Sequence, residues 1–185
     1  MARITELEAI NVMLNAIGEQ GMDNMGEVID YEEAKMAQIV LRQTNKKVSS
    51  FGYNYNFEKE YDLTQDVNGE ITLPLNNLKV LFEDNRYTER NGKVYDTNTQ
   101  SYVIGKDLKA DIYVELSFEY IPYVAQEYIN LKAARIFQQR ALGSSELYKI
   151  TQRDEMEAKD RLMEYDIEVE DYNIISGLNI SNRRK

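Results

Sequence analysis

The hydrophobic period of this chain changes twice, being helical at both ends and two-residue in the middle, and that order calls for a helical framework interrupted by strands. Near the N-terminus Thr5 and Glu8 form a T-x-x-E capping box, which satisfies free amides of a first helical turn. Leu7, Ile10, Leu14 and Ile17 follow at helical spacing, with Gly18 as a left-handed stop. A second helix is predicted to start near Asp30, a good cap with Glu33 three positions on. Its face is Ala34, Ala37, Leu41, Thr44 and Val48, and it ends at Phe51-Gly52.

The period then shortens. Tyr53, Tyr55 and Phe57 alternate with Asn54, Asn56 and Glu58, which predicts a strand with one aromatic face. From Tyr61 to Phe118 the pattern is that of a β meander. Asn68-Gly69 and Asn91-Gly92 are hairpin turns, and the first precedes an alternating Ile71, Leu73 and Leu75. Pro74 marks an edge strand or a strand's exit. Leu78, Val80 and Phe82 alternate again, and Ile112, Val114, Leu116 and Phe118 face one way. Pro122 opens a third helix through Val124, Ile129, Ala133, Ile136, Phe137 and Ala141, stopped by Gly143. Ser144 or Ser145 caps a fourth through Leu147, Ile150, Leu162 and Met163.

Runs of one element type, rather than strict alternation, predict an α+β fold: an α-helical bundle from the N- and C-terminal helices with an inserted, projecting antiparallel β-sheet. The expected divisions are N-terminal helices over 1–52, a β insertion over 53–118, C-terminal helices over 119–172 and a docking tail over 173–185. A length of 185 residues suits one domain carrying a large insertion.

The chain has neither cysteine nor histidine. No disulfide, Cys nucleophile, Ser–His pair, imidazole base or ordinary zinc site can be built, which leaves carboxylates, Lys, Tyr and Ser for any catalysis; no catalytic residue, cofactor or metal is nominated. Charged residues fill the N-terminus where a signal peptide needs an apolar run, and no stretch approaches the ~20 apolar residues of a membrane span. The expectation is a soluble protein made in the cytosol, without a membrane anchor. A net charge of −10 repels DNA at long range, which disfavours a sequence-specific reader but suits a channel through which DNA slides.

Most of the acid excess falls in the fourth helix, at Asp154, Glu155, Glu157, Asp160, Glu164, Asp166, Glu168, Glu170 and Asp171. A solvated face with partners such as Lys159 and Arg161 explains the run by itself; a wall facing a channel or a basic partner is the functional alternative. Calcium-loop spacing is absent. Two further functions remain open at this level. One is a glycan hydrolase using an Asp/Glu pair, though the sequence nominates none. The other is an acidic DNA mimic, which leaves the aromatic sheet unexplained. Fourteen tyrosines, many in or beside the β region, serve half-buried strand positions or an interface. Ile174, Ile175, Leu178 and Ile180 are apolar for a free tail, so they pack on their own domain or dock on a neighbour beside Arg183, Arg184 and Lys185.

Four blocks resemble one family in register. Glu8-Ala9-Ile10-Asn11-Val12-Met13-Leu14-Asn15-Ala16-Ile17-Gly18-Glu19 is similar to the A-x-N-x-x-L-x-x-I-G-E opening of the tail tubular protein A family of short-tailed bacteriophages. Phe51-Gly52-Tyr53-Asn54-Tyr55-Asn56-Phe57-Glu58 resembles the helix end and strand, with Tyr53 where the family usually has Trp. Gly92-Lys93-Val94-Tyr95-Asp96 resembles its Val-Tyr-Asp hairpin, and Pro122 with Ala133-Ala134-Arg135-Ile136-Phe137 its next helix.

The resemblance implies a structural virion protein of the tail, assembled in the host cytoplasm as a head-to-tail adaptor ring, most simply a dodecamer. Its implied partners are the portal protein, the tail nozzle protein (tail tubular protein B) and tail fibres, with DNA passing through unbound. It further implies that Ile174, Ile175, Leu178, Ile180, Arg183, Arg184 and Lys185 meet the portal. Arg90, Asn91, Gly92, Lys93 and Tyr95 would then meet nozzle or fibres.

Overall fold

The capping box forms as its residues require: the Glu8 amide donates to Thr5 Oγ1 at 3.1 Å, and the Thr5 amide donates to the Glu8 carboxylate at 2.7 Å. It starts α1 (Glu6–Asn15), which buries Ala9, Ile10, Met13 and Leu14. In this computed structural model the backbone is described for residues 3–143 and 145–182, and the side chains for 3–143 and 152–170. The remaining elements are α2 (Glu32–Ser49), β1 (Phe57–Leu63), β2 (Asn77–Leu81), β3 (Tyr87–Arg90), β4 (Lys93–Asp96), β5 (Leu108–Val114), α3 (Tyr123–Leu142) and α4 (Ser145–Asn182). In chain order the antiparallel strands fall between two pairs of helices, an α+β fold with an inserted sheet. Two compact units result, Met1–Val48 with Ser117–Lys185 and Ser49–Leu116.

In the helical unit α3 is buried nearly all round. Ile129 and Phe137 fill space while Ala125, Ala133 and Ala134 let neighbours approach. Polar side chains on α3 satisfy groups that helix ends leave open. Gln138 donates to the Ala16 carbonyl at 2.9 Å, just past α1. Gln126, fully buried, accepts from the Ile4 amide at 2.9 Å and donates to the carbonyls of Ile4 and Phe118 at 3.0 and 2.8 Å. Gly143 closes α3 in the left-handed conformation, as predicted. On α4, Ala158 and Leu162 are buried, and Glu155 reaches back to Arg135 and Lys132 of α3. The helix continues without a break to Asn182, so the backbone of 173–182 belongs to it.

Several sequence expectations need correction. Asp30 closes a short 3-10 turn (Glu27–Ile29), and α2 starts two residues later. The predicted α2 face of Ala34, Ala37, Leu41, Thr44 and Val48 is wholly buried. Tyr53 and Tyr55 do not alternate along a strand, because Asn54–Asn56 is a 3-10 turn. Asn56 makes it so: its buried side chain accepts from the Tyr53 amide at 3.0 Å and donates to the carbonyls of Ser49 and Val114. The two rings stack instead, 5.6 Å apart. Gly52 before the turn has φ +85°, and a Cβ there would lie 2.8 Å from the Tyr113 ring, so both backbone and space require glycine.

The meander resolves into two sheets. One has the order β1-β5-β2, all antiparallel, and the other is the β3–β4 hairpin. Outside the named strands Ile71 and Leu73 run beside β4, with Leu73 N donating to Gly92 O at 2.9 Å and Val94 N to Ile71 O at 3.0 Å. Leu63, Ile71, Leu73, Tyr87, Val94 and Ile112 share one core. Leu75 breaks the expected alternation and is fully exposed, since the chain turns at Pro74, whose carbonyl accepts from Asn77 at 2.9 Å. Phe118 is not on β5 either; it lies buried in the 3-10 turn Phe118–Tyr120 that leads to α3.

Candidate interaction surfaces

The Asn91-Gly92 turn has both residues at positive φ, 54° and 69°, as a two-residue hairpin with right-handed strand twist demands. Arg90 pairs across it with Lys93. The Arg90 guanidinium lies 4.0 Å from the centre of the Tyr95 ring, and Tyr102 meets Tyr95 edge-on at 5.0 Å. Lys93 is bound by Glu70, whose hydrogen bond holds the ammonium above its usual pKa. Of the five hairpin residues singled out from sequence, Arg90, Lys93 and Tyr95 thus form one cationic and aromatic surface, and Asn91-Gly92 supply its turn. Such a surface offers ring area, hydrogen-bond donors and a rigid backbone to a protein partner.

Sequence reasoning missed what fixes this hairpin. Asp96, at the end of β4, is buried and accepts from Arg86 Nε at 2.7 Å and from the amides of Asn98 and Thr99 at 2.9 and 3.2 Å. The Arg86 hydrogen bonds, with help from those amides, hold its carboxyl far below the usual carboxylate range. Asp followed by Thr97, Asn98 and Thr99 is a local turn signal that points to the amide bonds, but nothing in the sequence points to Arg86. A carboxyl depressed on folding contributes stability that is whole above its unfolded pKa of about 4 and fades as pH falls below it. Asp96→Asn is therefore expected to unfold at lower urea than the parent at pH 7. The gap should narrow towards pH 3, followed by circular dichroism; a gap independent of pH would contradict the assignment.

The acidic run of α4 is not one solvated face. Glu155 is buried, held by Arg135 and by Lys132 at 3.5 Å. Arg161 pairs with Glu127 of α3 at 3.0 Å, and Glu157 pairs with Arg153 at 3.1 Å. Glu157, Asp160, Glu164 and Glu168 remain exposed. The backbone of Ile174, Ile175, Leu178 and Ile180 lies within α4, while their side chains, and Arg183, Arg184 and Lys185 altogether, lie outside the described residues. Among the described residues no group of His, Cys, Asp or Glu is placed to hold a metal, and no helix is long and apolar enough to cross a membrane.

The model of a family described as tail tubular protein matches residues 7–172, through both helical segments and the β region. Tail tubular protein A of Klebsiella phage KP34 is 28% identical over 153 residues, covering 81% of this chain and 81% of that protein. With a match running from α1 through most of α4, the chain belongs to the tail tubular protein family and is a structural protein of the bacteriophage tail.

Proposed function

We propose that this protein is a head-to-tail adaptor: copies of it close into a ring, most simply of twelve, between portal and tail nozzle. The ring forms part of the channel through which DNA is ejected. The family match carries the reading, supported by the resemblance to tail tubular protein A across four blocks in register. The charge fits the role. At −10 per copy, twelve copies bring roughly −120, screened beyond about 10 Å, and a negative lumen repels phosphates rather than binding them.

The C-terminal segment around Ile174, Ile175, Leu178 and Ile180, with Arg183, Arg184 and Lys185, engages the portal in this proposal. The surface of Arg90, Asn91, Gly92, Lys93 and Tyr95 engages the nozzle or the fibres. Function thus resides in recognition surfaces, assembled in the host cytoplasm into the virion tail. Electron microscopy of the purified protein mixed with the portal of the same phage tests this. A ring of added density on one end of the portal is expected, and bare portals at saturating protein would contradict it.

A further inference from the structure

We infer that the outer side of α2 on one copy packs against the outer side of α4 on the next, and that this pairing closes the ring. The inference rests on the ring proposed above and names the faces that join its copies. While α2 buries its alanine-rich side, Lys35, Met36, Ile39, Arg42 and Lys46 stay exposed, Met36 by 45% and Ile39 by 52%. On α4 the side away from Ala158 and Leu162 exposes Met156 by 60%, Met163 by 47% and Ile167 by 57%. Glu157, Glu164 and Glu168 run beside them, also exposed.

The two rows of charge match in length and spacing. Lys35, Arg42 and Lys46 stand seven and four residues apart, as do Glu157, Glu164 and Glu168. Each row of charges therefore spans about 16 Å along its helix. Met156, Met163 and Ile167 repeat the same steps one position earlier on α4. A wall that only repels DNA has no use for large apolar side chains at helical spacing, whereas a seam between helices does.

Head-to-tail rings need two different, mutually complementary faces on each subunit, and the helical unit carries both. The apolar rows supply contact area. The exposed charges add little attraction each but select the partner face. Two α2 faces would oppose cations and two α4 faces anions, so a symmetric pair is rejected and the chain of contacts runs on around the ring.

Charge reversal tests the pairing. One variant carries Lys35→Glu, Arg42→Glu and Lys46→Glu; the other carries Glu157→Lys, Glu164→Lys and Glu168→Lys. All six sites are exposed, though within the chain Arg42 also bridges Glu6 at 3.5 Å and Glu157 bridges Arg153 at 3.1 Å, so circular dichroism and urea unfolding check that each variant folds. On portal rings, each variant alone is expected to need at least roughly a hundredfold higher concentration than wild type to assemble. An equimolar mixture should assemble as alternating copies, because each reversed face then meets its complement. Wild-type-like assembly of either folded variant alone, or failure of the mixture, would overturn the pairing. If wild type itself forms no ring on the portal, the ring proposal falls and this inference with it.

Discussion

Phe137→Ala is expected to lower the unfolding free energy by about 3–5 kcal/mol, the usual cost of emptying a phenylalanine site in a core. Phe137 leads the fully buried side chains in size and sits on α3, the helix that touches both α1 and α4. Removing the ring forfeits its transfer from water and leaves a cavity that helices on both sides cannot close without shifting. The loss should appear in urea unfolding followed by the helical circular dichroism signal. A change below about 1 kcal/mol would mean that the helices collapse onto the space, and that α3 is not the fixed centre of its unit.

The second large effect concerns a polar group. Gln126→Leu keeps nearly the same volume but removes all three hydrogen bonds to Ile4 and Phe118. The Ile4 amide and two carbonyls then lose their partners inside the unit, so a loss of roughly 2–4 kcal/mol is expected, Ile4 recovering some of it from water. The N-terminal residues and the turn before α3 should exchange amide hydrogens faster, while the exposed control Gln139→Leu stays near the parent. Equal stability of Gln126→Leu and parent would show that this side chain does not hold the N-terminus to α3.

These two residues mark the limits of what the sequence discloses. Phe137 falls on a helical stripe and reads as core without any structure. Gln126 lies on the same helix, yet nothing in the sequence singles it out, because its partners are more than a hundred residues away in one case and only backbone atoms in both. Glu155 is misread for the same reason. It looks like one more acid in a solvated run, and only the packing of α4 on α3 brings Arg135 and Lys132 to it. Local signals fared better: the Thr5 box, the Asn91-Gly92 turn and the Gly143 stop all depend on neighbours within a few residues. Tyr53 and Tyr55 are the instructive failure. Their alternation is real in the sequence, but one buried Asn56 side chain, bonded to two distant carbonyls, turns the backbone before the strand can begin.

The candidate surfaces were legible to the same degree. The hairpin residues were nominated by the resemblance to the family's hairpin, while Tyr102 and Glu70, which contact Tyr95 and Lys93, come from other parts of the chain. The apolar row on the outer side of α4 passes in sequence for part of a core stripe, since exposure of Met163 and Ile167 depends on where Leu162 points.

Phage particles made without this protein test the central claim most directly. If the chain acts by joining head to tail through its surfaces, its loss leaves heads without tails, and supplying the purified protein together with the remaining tail components restores attachment. Particles that keep their tails in its complete absence would contradict the account.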